Sequence, residues 1–133
     1  MLIWVTATIL SGRVVDGKKV GRTLGFPTAN IQPLCAEKLL PATGVYAVYV
    51  YIGKERYAGM LNIGSCPTVN ENGQSVSVEV HILNFQGDIY QELIKIEFVE
   101  YLRPEVKFES VEKLTWQLRQ DKEVVKNLLH QKG

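Results

Sequence analysis

Residues 44–52 read Gly-Val-Tyr-Ala-Val-Tyr-Val-Tyr-Ile, nine positions without a charge. In an extended chain successive side chains alternate between faces, so this run shows apolar or aromatic groups to both sides. An open antiparallel sheet with one wet face does not need such a strand, and the pattern predicts a sheet closed into a barrel. Strand signals surround it. Leu2 to Val15 is rich in β-branched residues, and turn pairs follow the apolar runs at Asp16-Gly17, Gly53-Lys54, Asn72-Gly73 and Gly87-Asp88. Strands spaced this closely pair antiparallel, and Asn72-Gly73 is the type I′ signal for a hairpin leading into residues 75–83.

The period changes after Pro104. Ser110 is suited to an N-cap and Glu112 to a first turn, while Val111, Leu114, Leu118, Val125, Leu128 and Leu129 recur at helical spacing. Lys122, Lys126 and Lys132 come late, where cations complement the helix dipole. One amphipathic helix covering the barrel is expected. Asp121 falls close to the apolar stripe, where a charge is costly unless it is paired.

With 133 residues the chain reads as one domain, 1–133, able to bury roughly two-thirds of its unfolded surface without staples. A formal net charge of +1, with lysines and arginines scattered among acids, gives none of the broad positive footprint that nucleic-acid binding demands. Any anion site must be local. Cys35 and Cys66 have no Cys or His neighbour at zinc-ligand spacing, and no disulfide framework is suggested, so a reduced cytoplasmic setting is expected. The apolar run within Met1 to Leu10 lacks a basic leader and is too short to span a bilayer, and it reads as a strand.

Three segments could carry chemistry. Gly12, Gly17, Gly21 and Gly25 crowd the stretch before Phe26-Pro-Thr-Ala-Asn30. Glycines let backbone amides approach phosphate oxygens, and Thr28 and Asn30 would point the same way from an extended segment, offering two neutral oxygens to a Mg²⁺ already bound to polyphosphate. The other reading is a set of β-turns and a Ser/Thr or Asx turn closing on its own backbone. A Walker A loop is excluded: Gly17-Lys-Lys-Val-Gly-Arg-Thr23 is one residue short and has Arg where that motif requires Lys. In the second segment, Ser75 to Leu83, alternation sets Val76, Val78, Val80 and Ile82 on one face and Ser77, Glu79 and His81 on the other. The polar face is either solvated or a rigid mount for a general base, Glu79, with His81 as a structural hydrogen-bonding residue. Tyr101-Leu-Arg-Pro-Glu-Val-Lys-Phe108 is the third: an arginine and an aromatic ring that could hold a planar ligand, or a capped, charged loop.

Gly21 to Asn30, Leu61-Asn-Ile-Gly-Ser-Cys-Pro-Thr68, Val78-Glu-Val-His-Ile82, Asp88-Ile-Tyr90 and Leu102 to Phe108 follow one another in the order found in the riboflavin kinases, which the chain resembles over nearly its whole length. The first of these looks like that family's Pro-Thr-Ala-Asn motif with its preceding glycine loop. The resemblance implies a six-stranded antiparallel Greek-key β-barrel with a C-terminal helix, and the transfer of phosphate from ATP to the 5′-hydroxyl of riboflavin to give FMN and ADP. It further implies that Thr28 and Asn30 hold the Mg²⁺ of the nucleotide, that Gly17 and Arg22 lie in the loop over its phosphates, and that Ile82, Asn84 and Tyr90 line the nucleotide side. Glu79 takes the place of the catalytic carboxylate, and Arg103, Val106 and Phe108 match the flavin-side loop.

Two departures stand out. Gln91 occupies a position where the family commonly has Gly, and Cys66 one that is often basic or polar. The family also includes bifunctional bacterial riboflavin kinase/FAD synthetases. About ten residues precede the kinase motifs here, too few for an adenylyltransferase domain, so FAD synthesis is not expected from this chain. The loops at 17–25 and 103–109 are expected to close over ligands in a monomeric enzyme. The rival classes are a non-catalytic flavin-binding barrel, which has no need of a metal pair plus a base, and a barrel for single-stranded nucleic acid, which needs a positive groove.

Overall fold

The structure, a computed structural model, describes residues 8–15, 28–34, 40–67, 74–85 and 89–132. Among these residues, strands β1 (Thr8–Val15), β2 (Ala29–Pro33), β3 (Gly44–Ile52), β4 (Glu55–Pro67), β5 (Gln74–Ile82) and β6 (Leu93–Arg103) precede a helix, α1 (Val111–Lys132). Neighbouring strands are antiparallel, and the sheet closes in the order β1-β2-β5-β4-β3-β6. Strands β3, β4 and β5 form a meander and β6 returns to lie beside β3, the Greek-key arrangement that was expected. Among the described residues no helix is long and apolar enough to cross a membrane.

Alternation fills the barrel. Val48, Val50, Leu61, Ile63, Val78, Val80, Ile94 and Ile96 meet in the interior, each no more than 2% exposed. The opposite face of β3 is also dry, for a second reason that closure does not supply. Ala47 and Tyr49 pack with Met60 and Leu83 beneath Val125 and Leu129 of α1. Barrel closure therefore accounts for one apolar face of β3 and the helix for the other. Tyr49 adds a polar tie, its hydroxyl donating to the Leu129 carbonyl at 3.1 Å, one of the helix-end acceptors that α1 itself leaves unbonded.

Local signals place the ends of these elements. Ser110 caps α1, its Oγ accepting from the Lys113 amide at 3.2 Å. Ile52 pairs with Glu55 across the two-residue turn Gly53-Lys54, where Gly53 has φ of 60°, the left-handed first position of a type II′ hairpin. Asp16-Gly17, Asn72-Gly73 and Gly87-Asp88 lie outside the described residues. The β4–β5 pairing that the second of these was expected to join runs to Pro67 opposite Gln74. Strand β6 shifts register twice against β3, leaving Val99 and Leu102 as extra residues that turn toward the helix cluster. Such bulges re-aim the chain beside functional sites, and here the second one delivers Arg103 opposite Val45.

Candidate active site

Glu79 projects from the outer face of β5, because Val78 and Val80 on either side are drawn into the barrel. Its carboxylate Oε1 accepts a hydrogen bond from Thr28 Oγ1 at 3.1 Å, joining residues 51 positions apart. Asn30 of β2 is the direct cross-strand partner of Glu79 on one side, and Asn62 of β4 on the other. Thr28, Asn30 and Glu79, which the sequence set in two separate segments, thus meet at one seam. The oxygens of Thr28 and Asn30 are hard and neutral, a donor pair of the kind that suits a magnesium ion sharing its shell with phosphate and water.

A groove of about 210 Å³ opens from this seam and runs between the barrel and the first half of α1. Thr28, Glu79 and His81 line it together with Arg103, Val106 and Phe108. The polar face of β5 is therefore a groove wall, with His81 only 8% exposed on it. Leu114 and Leu118 also line the groove, so the apolar stripe of α1 has two uses: its early turns form the groove and its later turns, at Val125 and Leu129, seal the barrel.

Arg103 holds the segment between β6 and α1 in place. Its Nε donates to Asp121 Oδ1 at 3.0 Å and its Nη2 to Oδ2 at 2.7 Å, a two-pronged pair, while Nη1 donates to the Pro104 carbonyl at 3.3 Å. Gln117 Nε2 donates to the same aspartate at 2.9 Å. Asp121, which the helix pattern places near the apolar stripe, is 4% exposed and owes its burial to these donors. The guanidinium carbon lies 5.7 Å from the centre of the Phe108 ring, within cation–π range. Downstream, Glu105 Oε1 accepts from the Ser65 amide at 3.2 Å, and Gly64 leaves room for that carboxylate where a Cβ would collide with it. The segment between β6 and α1 is thus pinned at Arg103, Glu105 and Ser110.

The nucleotide-side expectations fall elsewhere. Ile82 turns into the barrel interior, and Asn84 occupies an exposed turn with φ of 58°. Tyr90 is 55% exposed on the following turn, which is bonded to β1 through Gln91 N to Val14 O at 2.8 Å and Val14 N to Glu92 O at 2.9 Å. Val15 pairs with Asn30, so the Tyr90 turn sits at the same corner of the barrel as Asn30. Gly17 and Arg22 lie outside the described residues, as does the run from Gly21 to Pro27. Gln91 adopts φ of 68°, the left-handed conformation that glycine takes without penalty. Sequence reasoning passed over Asn62, Glu105, Leu114, Leu118 and Asp121 as groove residues. The signal at Asn62 is a lone amide between Leu61 and Ile63 in an otherwise apolar strand segment, and the groove's other additions come from elements whose proximity only the fold creates.

Residues 6–129 match the family described as Flavokinase: Riboflavin kinase. The bifunctional riboflavin kinase/FMN adenylyltransferase of Listeria monocytogenes is 44% identical over 112 residues, which takes in 84% of this chain and 35% of that protein. The RNA-binding riboflavin kinase RibR of Bacillus subtilis is 40% identical over 114 residues, 86% of this chain and 48% of its own. Riboflavin kinase from Trypanosoma brucei has the same fold with a TM-score of 0.64 and 25% identity, over 92% of this chain and 79% of that one. The chain spans about a third of the length of the bifunctional relatives it matches. With its barrel shared by a solved riboflavin kinase and its sequence matched almost from end to end, the chain belongs to the riboflavin kinase family.

Proposed function

We propose that this chain phosphorylates the 5′-hydroxyl of riboflavin with ATP, giving FMN and ADP. The observation that carries the reading is the Thr28–Glu79 hydrogen bond, which ties a carboxylate to the expected metal side in the wall of a groove that Arg103 and Phe108 also line. Phosphoryl transfer asks little covalent chemistry of a protein and much positioning. Glu79 sits on a strand anchored by its neighbours in the core, so its geometry is set, and it takes the proton of the ribityl hydroxyl as that oxygen attacks the γ-phosphorus. Thr28 orients the carboxylate through its hydroxyl. Phe108 and the face of the Arg103 guanidinium flank the isoalloxazine ring, while the donors of Arg103 are directed to Asp121 and the loop backbone.

Thr28 and Asn30 are the residues that would hold Mg²⁺, and the ion when bound supplies neutralising charge for the phosphates. Gly17 and Arg22 complete the phosphate side in this reading, with Ile82, Asn84 and Tyr90 on the adenosine side. A cytoplasmic setting follows from ATP as donor. RibR binds RNA by its own name; this chain's formal charge of +1 favours small-molecule substrates.

Incubation with riboflavin, ATP and Mg²⁺ followed by separation of the flavins tests the reading: FMN and ADP should form in equal amounts. Riboflavin bound but unchanged would make the chain a flavin-binding barrel instead. Glu79→Gln should lower kcat by about 10²–10⁴-fold with riboflavin binding retained, and wild-type turnover in that variant would remove Glu79 from its role.

A further inference from the structure

We propose that Asn62 is a substrate-binding residue whose side-chain oxygen accepts a hydrogen bond from the ribityl chain of the flavin; the assignment rests on the kinase reading above. Cross-strand register carries the first part of the argument. Asn30 pairs with Glu79, Glu79 with Asn62, Asn62 with Val45, and Val45 with Arg103, so these five residues form one row across β2, β5, β4, β3 and β6. Direct partners on one face have Cβ atoms about 4.5–5.5 Å apart, so the row is a continuous track. It leads from the metal side, through the base, to the flavin loop. A flavin with its ring against Arg103 and Phe108 and its terminal hydroxyl at Glu79 must lay its polyol chain across Asn62.

The second part is energetic. Among the described residues, Asn62 Oδ1 is the buried side-chain polar atom without a hydrogen-bond partner. A shielded acceptor left unsatisfied is a standing cost to the fold, and neither neighbour along the strand needs it, since Leu61 and Ile63 face the barrel interior. Asn62 also lines the groove, and the broad χ2 torsion of asparagine lets its amide turn toward a ligand. A hydroxyl brought by the ligand would supply the donor. The ribityl chain carries hydroxyl donors along its length, at the point on the track where Asn62 stands.

Asn62→Leu keeps the size of the side chain and removes the oxygen, and Asn62→Ala serves as a second variant. Riboflavin KM and dissociation constant are measured beside the inhibition constant of lumiflavin, which has the ring without the ribityl chain. Riboflavin binding should weaken by about three- to tenfold in both variants, the size of one neutral hydrogen bond, with lumiflavin inhibition unchanged. The melting temperature of Asn62→Leu should equal or exceed that of the wild type, because the orphaned acceptor is gone. A purely structural asparagine would instead lower it and leave the preference for riboflavin over lumiflavin untouched. If the wild type makes FMN and the variants keep wild-type riboflavin affinity, or lose both flavins equally, the Asn62 assignment falls while the kinase reading stands. If the wild type makes no FMN, it is the kinase reading that falls.

Discussion

At Gln91 the chain holds a long polar side chain in a conformation with φ of 68°. Residues with a Cβ pay roughly 1–2 kcal/mol to stand in the left-handed region, and glycine does not. The turn is nevertheless well fastened, with the Gln91 amide on the Val14 carbonyl at 2.8 Å and its own carbonyl accepting from Arg13 Nη1 at 2.7 Å. Gln91→Gly should therefore raise the unfolding free energy by about 0.5–1 kcal/mol, the relief of the backbone exceeding the added entropy of the unfolded chain. Urea denaturation checks this, and a lower midpoint would show that the side chain has contacts worth keeping. The position is one where the sequence is informative by departure: a residue standing where relatives commonly keep glycine marks the turn before any coordinates are seen. Thr28 and Glu79 were equally legible as chemistry, one from a proline-threonine-asparagine run and the other from an alternating strand. Their contact was not, since nothing in either segment specifies the other across 51 positions.

Helix α1 was the most readable element, because its period of 3.6, its serine cap and its late lysines all agree. What the pattern could not assign was the division of its stripe between groove and barrel, or the donor that makes Asp121 tolerable. Both depend on where the end of β6 arrives after two bulges. Asp121→Ala leaves a guanidinium that is 19% exposed without its carboxylate and removes the acceptor for Gln117. A cost of about 2–3 kcal/mol is expected from denaturant titration, toward or below the lower end of the range for breaking a buried pair because Arg103 retains some solvent. Freed from Asp121, the segment after Arg103 loses one of its pins, and in the proposed reaction the KM for riboflavin should rise in the same variant. The exposed Lys113–Glu109 pair at 2.6 Å, by contrast, joins two solvated side chains and contributes little.

The whole molecule is a barrel filled by β-branched and aromatic side chains, and two of its tyrosines give it a pH limit. Burial, reinforced by Tyr101, raises the Tyr46 phenol above its ordinary 10.0. The hydrogen bond to Glu97, at 2.6 Å, does the same for Tyr51, helped by burial and by the charge of that carboxylate. Above about pH 10 the unfolded chain releases these protons while the folded chain keeps them, so the unfolded state binds fewer and stability falls as pH rises through the folded values. Their contribution is fully present below pH 10. The double variant Tyr46→Phe with Tyr51→Phe should show a shallower loss of stability than the wild type as the pH rises above about 10, even though Tyr46→Phe forfeits the bond to the Ala42 carbonyl at neutral pH. Identical slopes would mean that the two phenols titrate alike in both states. At this scale the sequence disclosed the barrel and its covering helix through strand runs, turn pairs and one change of period. The groove stayed hidden, because its walls come from Thr28 beside β2 and from β3, β4, β5, β6, the segment after β6 and α1, and exist only once the sheet has closed.

The two dry faces of β3 have a consequence for assembly. In most strands a slip by one residue drives polar groups inward and is rejected on that ground, but β3 would bury apolar groups in either setting. Its alignment has to be specified elsewhere, and the tight Gly53-Lys54 hairpin is where counting begins: Ile52 against Glu55 at the tip brings Val45 against Asn62 seven steps away. The glycine at one end of the barrel is thus the zero mark of a scale read at the other, and the spacing of the Thr28–Glu79 seam from Arg103 is graduated from it.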